Sequence, residues 1–282
     1  MCAPLYTRRR LLLSINWRVI STPDWPEPTG GGDCGRRDTV ILAAVASALS
    51  AVFAAVVAAR FVSSRRPAFA VWAIGLLIFA AAAGFQAAGE ARGFDEVTFR
   101  GFYLLGAVLG VIYLALGTIF LLAPRRVAWA CAVVLGLVTI ALAIDAAVIP
   151  VDQSQLDRAS GVLGDAIQKG TLLFIGVVFL NIVGTVVLVG GSLWSAYRFA
   201  RSRAGVDRVV CNVLLTVGAL VIAAGFSVAK TKGLGISSLE TLGALEAVGI
   251  AIMFAGFLSL GRVGVRAPRH LAQAGPQPEL PA

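Results

Sequence analysis

Seven apolar runs, each close to the length of one bilayer crossing, follow one another along this chain and limit its fold more than any other feature. They are Val40–Ala59, Ala68–Ala88, Phe102–Ala123, Val127–Ile149, Thr171–Trp194, Val209–Ala229 and Leu242–Leu260. A hydrocarbon core about 30 Å thick takes about 20 residues at a helical rise of 1.5 Å. Inside it the backbone has no water to bond, so apolar runs of this length must be helices. The sequence therefore predicts an all-α, polytopic membrane bundle of about seven transmembrane helices. Composition agrees: 58% of residues are hydrophobic and 14% charged, against about 45–50% and about 25% in soluble domains.

Three segments follow from the pattern. Residues 1–38 read as a disordered, basic N-terminal tail with Arg8, Arg9, Arg10, Arg18, Arg36 and Arg37, four prolines and the run Gly30-Gly31-Gly32. Leu11-Leu12-Leu13 is cut short by Asn16 and Arg18, which falls below the roughly 7–15 apolar residues of a secretory signal. The same interruption weakens a twin-arginine reading of Thr7-Arg8-Arg9. Because the patterned part begins near Val40, an over-extended gene start is a further, secondary account of this disordered tail. Residues 39–261 form the seven-helix domain, and 262–282 a short C-terminal tail. In the longest connector, Leu156, Ala159, Leu163 and Ile167 recur at helical spacing, as in a short helix lying at the interface.

The net charge of +9 does not point to nucleic acid, because the basic residues gather at the ends of the apolar runs and no nucleic-acid-binding motif accompanies them. Their distribution bears instead on orientation. The first, third and fifth loops carry Arg60, Arg65, Arg66, Arg125, Arg126, Arg198, Arg201, Arg203 and Arg208. The second, fourth and sixth carry Arg92, Arg100, Arg158, Lys169, Lys230 and Lys232. The excess in the odd loops places them in the cytoplasm, with the N-terminus outside and the C-terminus inside. Arg262, Arg266 and Arg269 agree; Arg36 and Arg37 do not. The expected location is a bacterial plasma (inner) membrane, with the lipid bilayer as the constant partner.

Residue types narrow the chemistry further. Cys2, Cys34, Cys131 and Cys211 are scattered without metal-ligand spacing, so neither a disulfide framework nor a zinc site is expected. The single histidine, His270, excludes a bis-histidine membrane haem, a Ser–His intramembrane hydrolase and an HExxH metalloprotease. No cofactor, no metal and no enzymatic activity are expected.

An internal duplication is visible. Arg60-Phe61-Val62-Ser63-Ser64-Arg65 at the end of the first run matches Arg198-Phe199-Ala200-Arg201-Ser202-Arg203 at the end of the fifth. Ala82-Ala83-Gly84-Phe85 reappears as Ala223-Ala224-Gly225-Phe226, and Gly110 and Gly117 as Gly249 and Gly256. The offsets stay between 138 and 141, which predicts a 3+1+3 parallel repeat around the fourth helix, an arrangement found in transporters. In that arrangement alone the chain resembles SWEET-type sugar transporters, but its prolines sit at span ends, as at Pro67, Pro124 and Pro150. A microbial rhodopsin would need a lysine in the last span, which has none. From Arg66-Pro67 to Leu122, with Ala83-Gly84-Phe85 and Gly117-Thr118 inside it, the chain resembles a loose group of uncharacterised seven-helix proteins from GC-rich bacteria. That resemblance implies the fold and no activity.

Ionisable residues within a span are costly and usually face the bundle interior, which makes them the candidates for ligand or ion binding. Glu246 leads, sharing a face with Gly249, Met253 and Gly256. Asn181 lies mid-span in the fifth run and Asp145 near the end of the fourth. Gln86 and Glu90 are four apart and share a face; Tyr103, with Arg100, opens the third helix, and Lys230, with Ser227, ends the sixth. Most of these fall in the outer half, where a polar pocket would serve small-solute or ion binding and translocation. Each also has a structural reading: Glu90, Arg100 and Lys230 as solvated span ends, Asn181 as an interhelical hydrogen bond. A non-catalytic sensor or accessory subunit acting through a membrane protein partner is the alternative function.

Overall fold

In a computed structural model, residues 33–151, 171–202, 205–229 and 238–260 are described. Residues 1–32 of the N-terminal tail, the expected interfacial helix and Lys230 lie outside them. Seven long helices are found: α1 Asp33–Ser64, α2 Pro67–Arg92, α3 Glu96–Leu122, α4 Arg125–Val148, α5 Leu172–Arg201, α6 Val206–Ala229 and α7 Ser238–Ser259. All seven contain stretches long and apolar enough to cross a bilayer, so the chain is a multi-pass membrane protein. No strand occurs among the described residues. The α1 helix begins inside the segment read as tail, at Asp33, and runs past Ala59 to Ser64. Ser63 and Ser64 carry it on by donating to the carbonyl of Arg60.

Local chemistry sets the helix ends. Arg65 takes a left-handed conformation (φ 54°) and its N–H returns to the Phe61 carbonyl, a C-terminal cap that glycine usually supplies. Pro67 then opens α2 where no intrahelical N–H is needed. Asp95 caps α3 by accepting from the Thr98 N–H at 2.8 Å, and Thr171 caps α5 through the Phe174 N–H. Between Tyr103 and Gly110, α3 widens into a π-helical stretch.

Successive helices run antiparallel. We call the end where α1, α3, α5 and α7 begin the near end, and the opposite one the far end. Six helices pack as a closed ring in the order α1, α2, α3, α5, α6, α7 and back to α1. The α4 helix lies outside the ring against α3 and α5, with Val133, Val134, Leu137, Ile140 and Ile144 exposed. Such a face suits lipid. Polar ties hold α4 in place. Arg100 donates to the carbonyls of Ala147 and Ile149, the latter at 2.8 Å. Tyr113 and Thr139 share a hydrogen bond of 3.1 Å, and Asp145 accepts from the Leu173 N–H at 2.8 Å.

Glycine permits the tightest approach, between α6 and α7. A methyl group on Gly218 would strike Met253 and the Gly249 carbonyl, and one on Gly249 would strike Ile222 and the Gly218 carbonyl. Met253 is buried beside them, so the narrow face expected through Gly249, Met253 and Gly256 is the α6–α7 contact. Aromatic rings close the far half between α1, α2 and α7: Phe53 lies 4.9 Å from Phe254 and 5.5 Å from Phe257, centroid to centroid.

Candidate functional site

Two places stand out, one at each end of the bundle. At the near end, α1, α2 and α7 bring polar side chains together inside the protein. Gln86 and Glu90 come one turn apart from α2, and Glu246 comes from α7; they are 0%, 7% and 3% exposed. The Gln86 Nε2 donates to Glu90 Oε1 at 2.8 Å, and Thr39 on α1 hydrogen-bonds the same carboxylate. Glu246 lies within electrostatic reach of Glu90, and its Oε2 has no hydrogen-bond partner among the described residues. Gly243, one turn before Glu246, makes the convergence possible. A methyl group there would touch the Ala43 N–H group, Leu42 and the Gln86 amide.

The donor set is oxygen-rich: two carboxyl groups, a carboxamide and a hydroxyl. Oxygen ligands of this kind suit a proton shared between carboxylates or a hard cation. Among the described residues, no group of three or more His, Cys, Asp or Glu side chains is placed to hold a metal ion.

The remaining sequence candidates are engaged elsewhere, so the expected single gathering of polar groups resolves into separate places. Asp145 caps the start of α5. Arg100 ties α4 to α3, and its Nη2 also pairs with Glu96. Tyr103 is buried against Phe99, with ring centroids 5.7 Å apart. Asn181 donates to the Ala107 carbonyl within the π-helical stretch and to its own Val177 carbonyl, which is interhelical hydrogen bonding of the expected kind. Lys230 falls outside the described residues.

At the far end lies a feature that the polar residues did not signal. A cavity of about 370 Å³ opens between α2, α3, α5, α6 and α7. Trp72, Phe69, Phe199 and Phe257 form much of its wall, Thr118, Ser192 and Ser195 give it hydroxyl groups, and Arg66 and Arg208 stand at its mouth. The guanidinium of Arg208 lies 5.4 Å from the centre of the Phe199 ring. Serines three apart near the end of a span were the only trace of it in the sequence, and in an apolar helix such residues ordinarily mark packing.

No protein family, no curated protein and no solved structure matches the chain.

Proposed function

We propose that the protein binds and translocates a small solute or ion, and that its near-end carboxyl centre holds the proton or cation concerned. One observation carries this reading. Glu246 is buried in α7, with a carboxyl oxygen lacking a hydrogen-bond partner and a second carboxylate, Glu90, close by. A buried carboxyl pair is costly to maintain, and exchange of a proton or cation gives it a use. No catalytic role is proposed.

The proposed orientation follows the basic residues: the near end outside, the far end and the C-terminus in the cytoplasm of a bacterium. Trp129, Trp194 and Tyr197 support a membrane interface at the far end, where they are exposed beside Arg125, Arg126, Arg198 and Arg201. A parallel 3+1+3 repeat also belongs to the proposal. In its favour, the ring order places α1, α2 and α3 opposite α5, α6 and α7. Gly110 and Gly117 face Phe79 and Trp72 of α2, as Gly249 and Gly256 face Ile222 and Leu214 of α6. The third match fits less well, since Gly84 meets Ser47 of α1 and Gly225 meets Leu245 of α7.

Proteoliposomes with an entrapped pH-reporting dye test the function. Under an imposed potassium diffusion potential, the chain is expected to carry protons, and Glu246→Gln is expected to reduce the rate to that of protein-free vesicles. The exposed Glu96→Gln is the control and keeps wild-type flux. Unchanged flux in Glu246→Gln, or none in the wild type, would sink the role of this centre in proton movement.

A further inference from the structure

Serine and threonine hydroxyls in these helices mostly return to their own backbone. Ser50 donates to Ala46, Thr118 to Leu114, Thr139 to Leu135 and Thr216 to Asn212. Ser192 and Ser195 break the pattern. They line the far-end cavity, and their hydroxyl oxygens are open to it rather than sealed within the protein. Two hydroxyls on one face of α5 thus stand in the cavity wall, where an occupant can accept from them or donate to them.

The rest of the cavity says what kind of occupant that is. Its wall is mainly apolar and aromatic, which requires an apolar body. Its mouth carries Arg66 and Arg208, and among its described lining residues there is no acidic side chain, so the polar end must be an anion. The first turns of α2 and α6 both begin at this mouth, adding the positive ends of two helix dipoles. Leu121 and Leu260 on the rim are exposed apolar side chains, leaving a route from the bilayer rather than from water alone. The volume falls within the roughly 300–1,000 Å³ of small-molecule sites.

We propose that this cavity is a binding site for an anionic phospholipid. Its phosphate meets Arg66 and Arg208, its glycerol ester region meets the hydroxyls of Ser192 and Ser195, and an acyl chain lies against Trp72 and Phe257. The proposal is independent of the near-end carboxyl centre, since it uses none of the same residues.

The test uses the full chain with Trp17, Trp25, Trp129 and Trp194 changed to Phe, so that Trp72 alone reports. It is reconstituted in phosphatidylcholine vesicles containing a small fraction of phosphatidylglycerol with brominated chains, or of phosphatidylcholine brominated in the same way. Trp72 is expected to be quenched with about 30-fold preference for the anionic lipid, from about 1 kcal/mol for each of the two arginines near the surface. Arg66→Gln with Arg208→Gln should erase the preference. Both side chains are exposed, so this variant is expected to fold, as helical circular dichroism would verify. Ser192→Ala with Ser195→Ala should weaken binding several-fold and leave the background quenching by brominated phosphatidylcholine unchanged. Equal quenching by the two lipids, or a preference that survives loss of both arginines, overturns the site. Excess inorganic phosphate separates the sources. If phosphate alone abolishes the preference and protects the chain against heat, the site takes a free anion and the phospholipid proposal fails.

Discussion

Gln86 donates its side-chain amide to Glu90 at 2.8 Å, one turn further along α2, with both residues buried where α1 and α7 close over them. The glutamine thus fixes one carboxyl oxygen while Thr39 approaches the same group from α1. Gln86→Leu keeps much of the side-chain volume and removes the donor. It is expected to destabilise the protein by about 1–3 kcal/mol, the range for stranding a buried hydrogen-bonding group. Unfolding in mixed micelles measures this; a change below about 0.5 kcal/mol would show that the pair contributes nothing to the fold.

How much of this was legible in the sequence depends on the scale. The seven spans follow from apolar length alone, because a bilayer leaves the backbone no other solution. Their ends were less legible. The α1 helix outruns its apolar stretch because Ser63 and Ser64 bond back to Arg60, and Arg65 supplies a left-handed cap that an arginine rarely takes. The pairing of Gln86 with Glu90 could be read from their spacing of four. That Glu246 joins them, while Asp145 and Asn181 turn to Leu173 and Ala107, depends on the order of helices around the ring. The far-end cavity was hidden for a related reason. It is a space left between five helices, and its hydroxyls belong to small serines that look like packing residues when read one helix at a time.

The α4 helix gives a clear contrast between packing and polar ties. It contributes little to the ring, and Arg100 and Asp145 hold its last turn from α3 and toward α5. Arg100→Leu with Asp145→Ala is therefore expected to loosen α4 selectively. Losing hydrogen bonds to a charged group costs about 2 kcal/mol, or roughly a 30-fold rise in amide exchange over residues 140–148. Exchange in α6 and α7 should stay unchanged. A uniform rise along all helices would mean that α4 is integral to the ring after all.

Close approach of α6 and α7 gives the third prediction. Gly218→Ala and Gly249→Ala each place a methyl group against the backbone of the facing helix, where relief requires the helices to part. Overpacking of this kind costs about 1–3 kcal/mol. Gly136→Ala serves as the opposite case, since nothing lies within 4 Å of its added methyl. There the helical preference for alanine dominates, and a gain of about 0.5–1 kcal/mol is expected. Melting curves in detergent that rank all three alike would refute the close packing of α6 on α7.

Asp95 supplies a pH dependence outside the spans. It sits at the start of α3, where the Thr98 hydroxyl and then the Thr98 N–H hold its carboxylate below the ordinary value of 3.8. A carboxylate whose pKa is lowered by folding adds stability above its unfolded pKa and loses it as pH falls through the folded value. The cap is thus expected to be intact at neutral pH and to fail only in acid, below about pH 4. Asp95→Asn retains an acceptor for the Thr98 N–H but cannot titrate, so its melting temperature should fall less than that of the wild type over the same acid range. Asp95→Ala should lower the melting temperature at neutral pH, because the Thr98 N–H loses its acceptor at the start of the helix. If wild type and Asp95→Asn lost stability in parallel as the pH dropped, the acid sensitivity would have to reside in another carboxyl group.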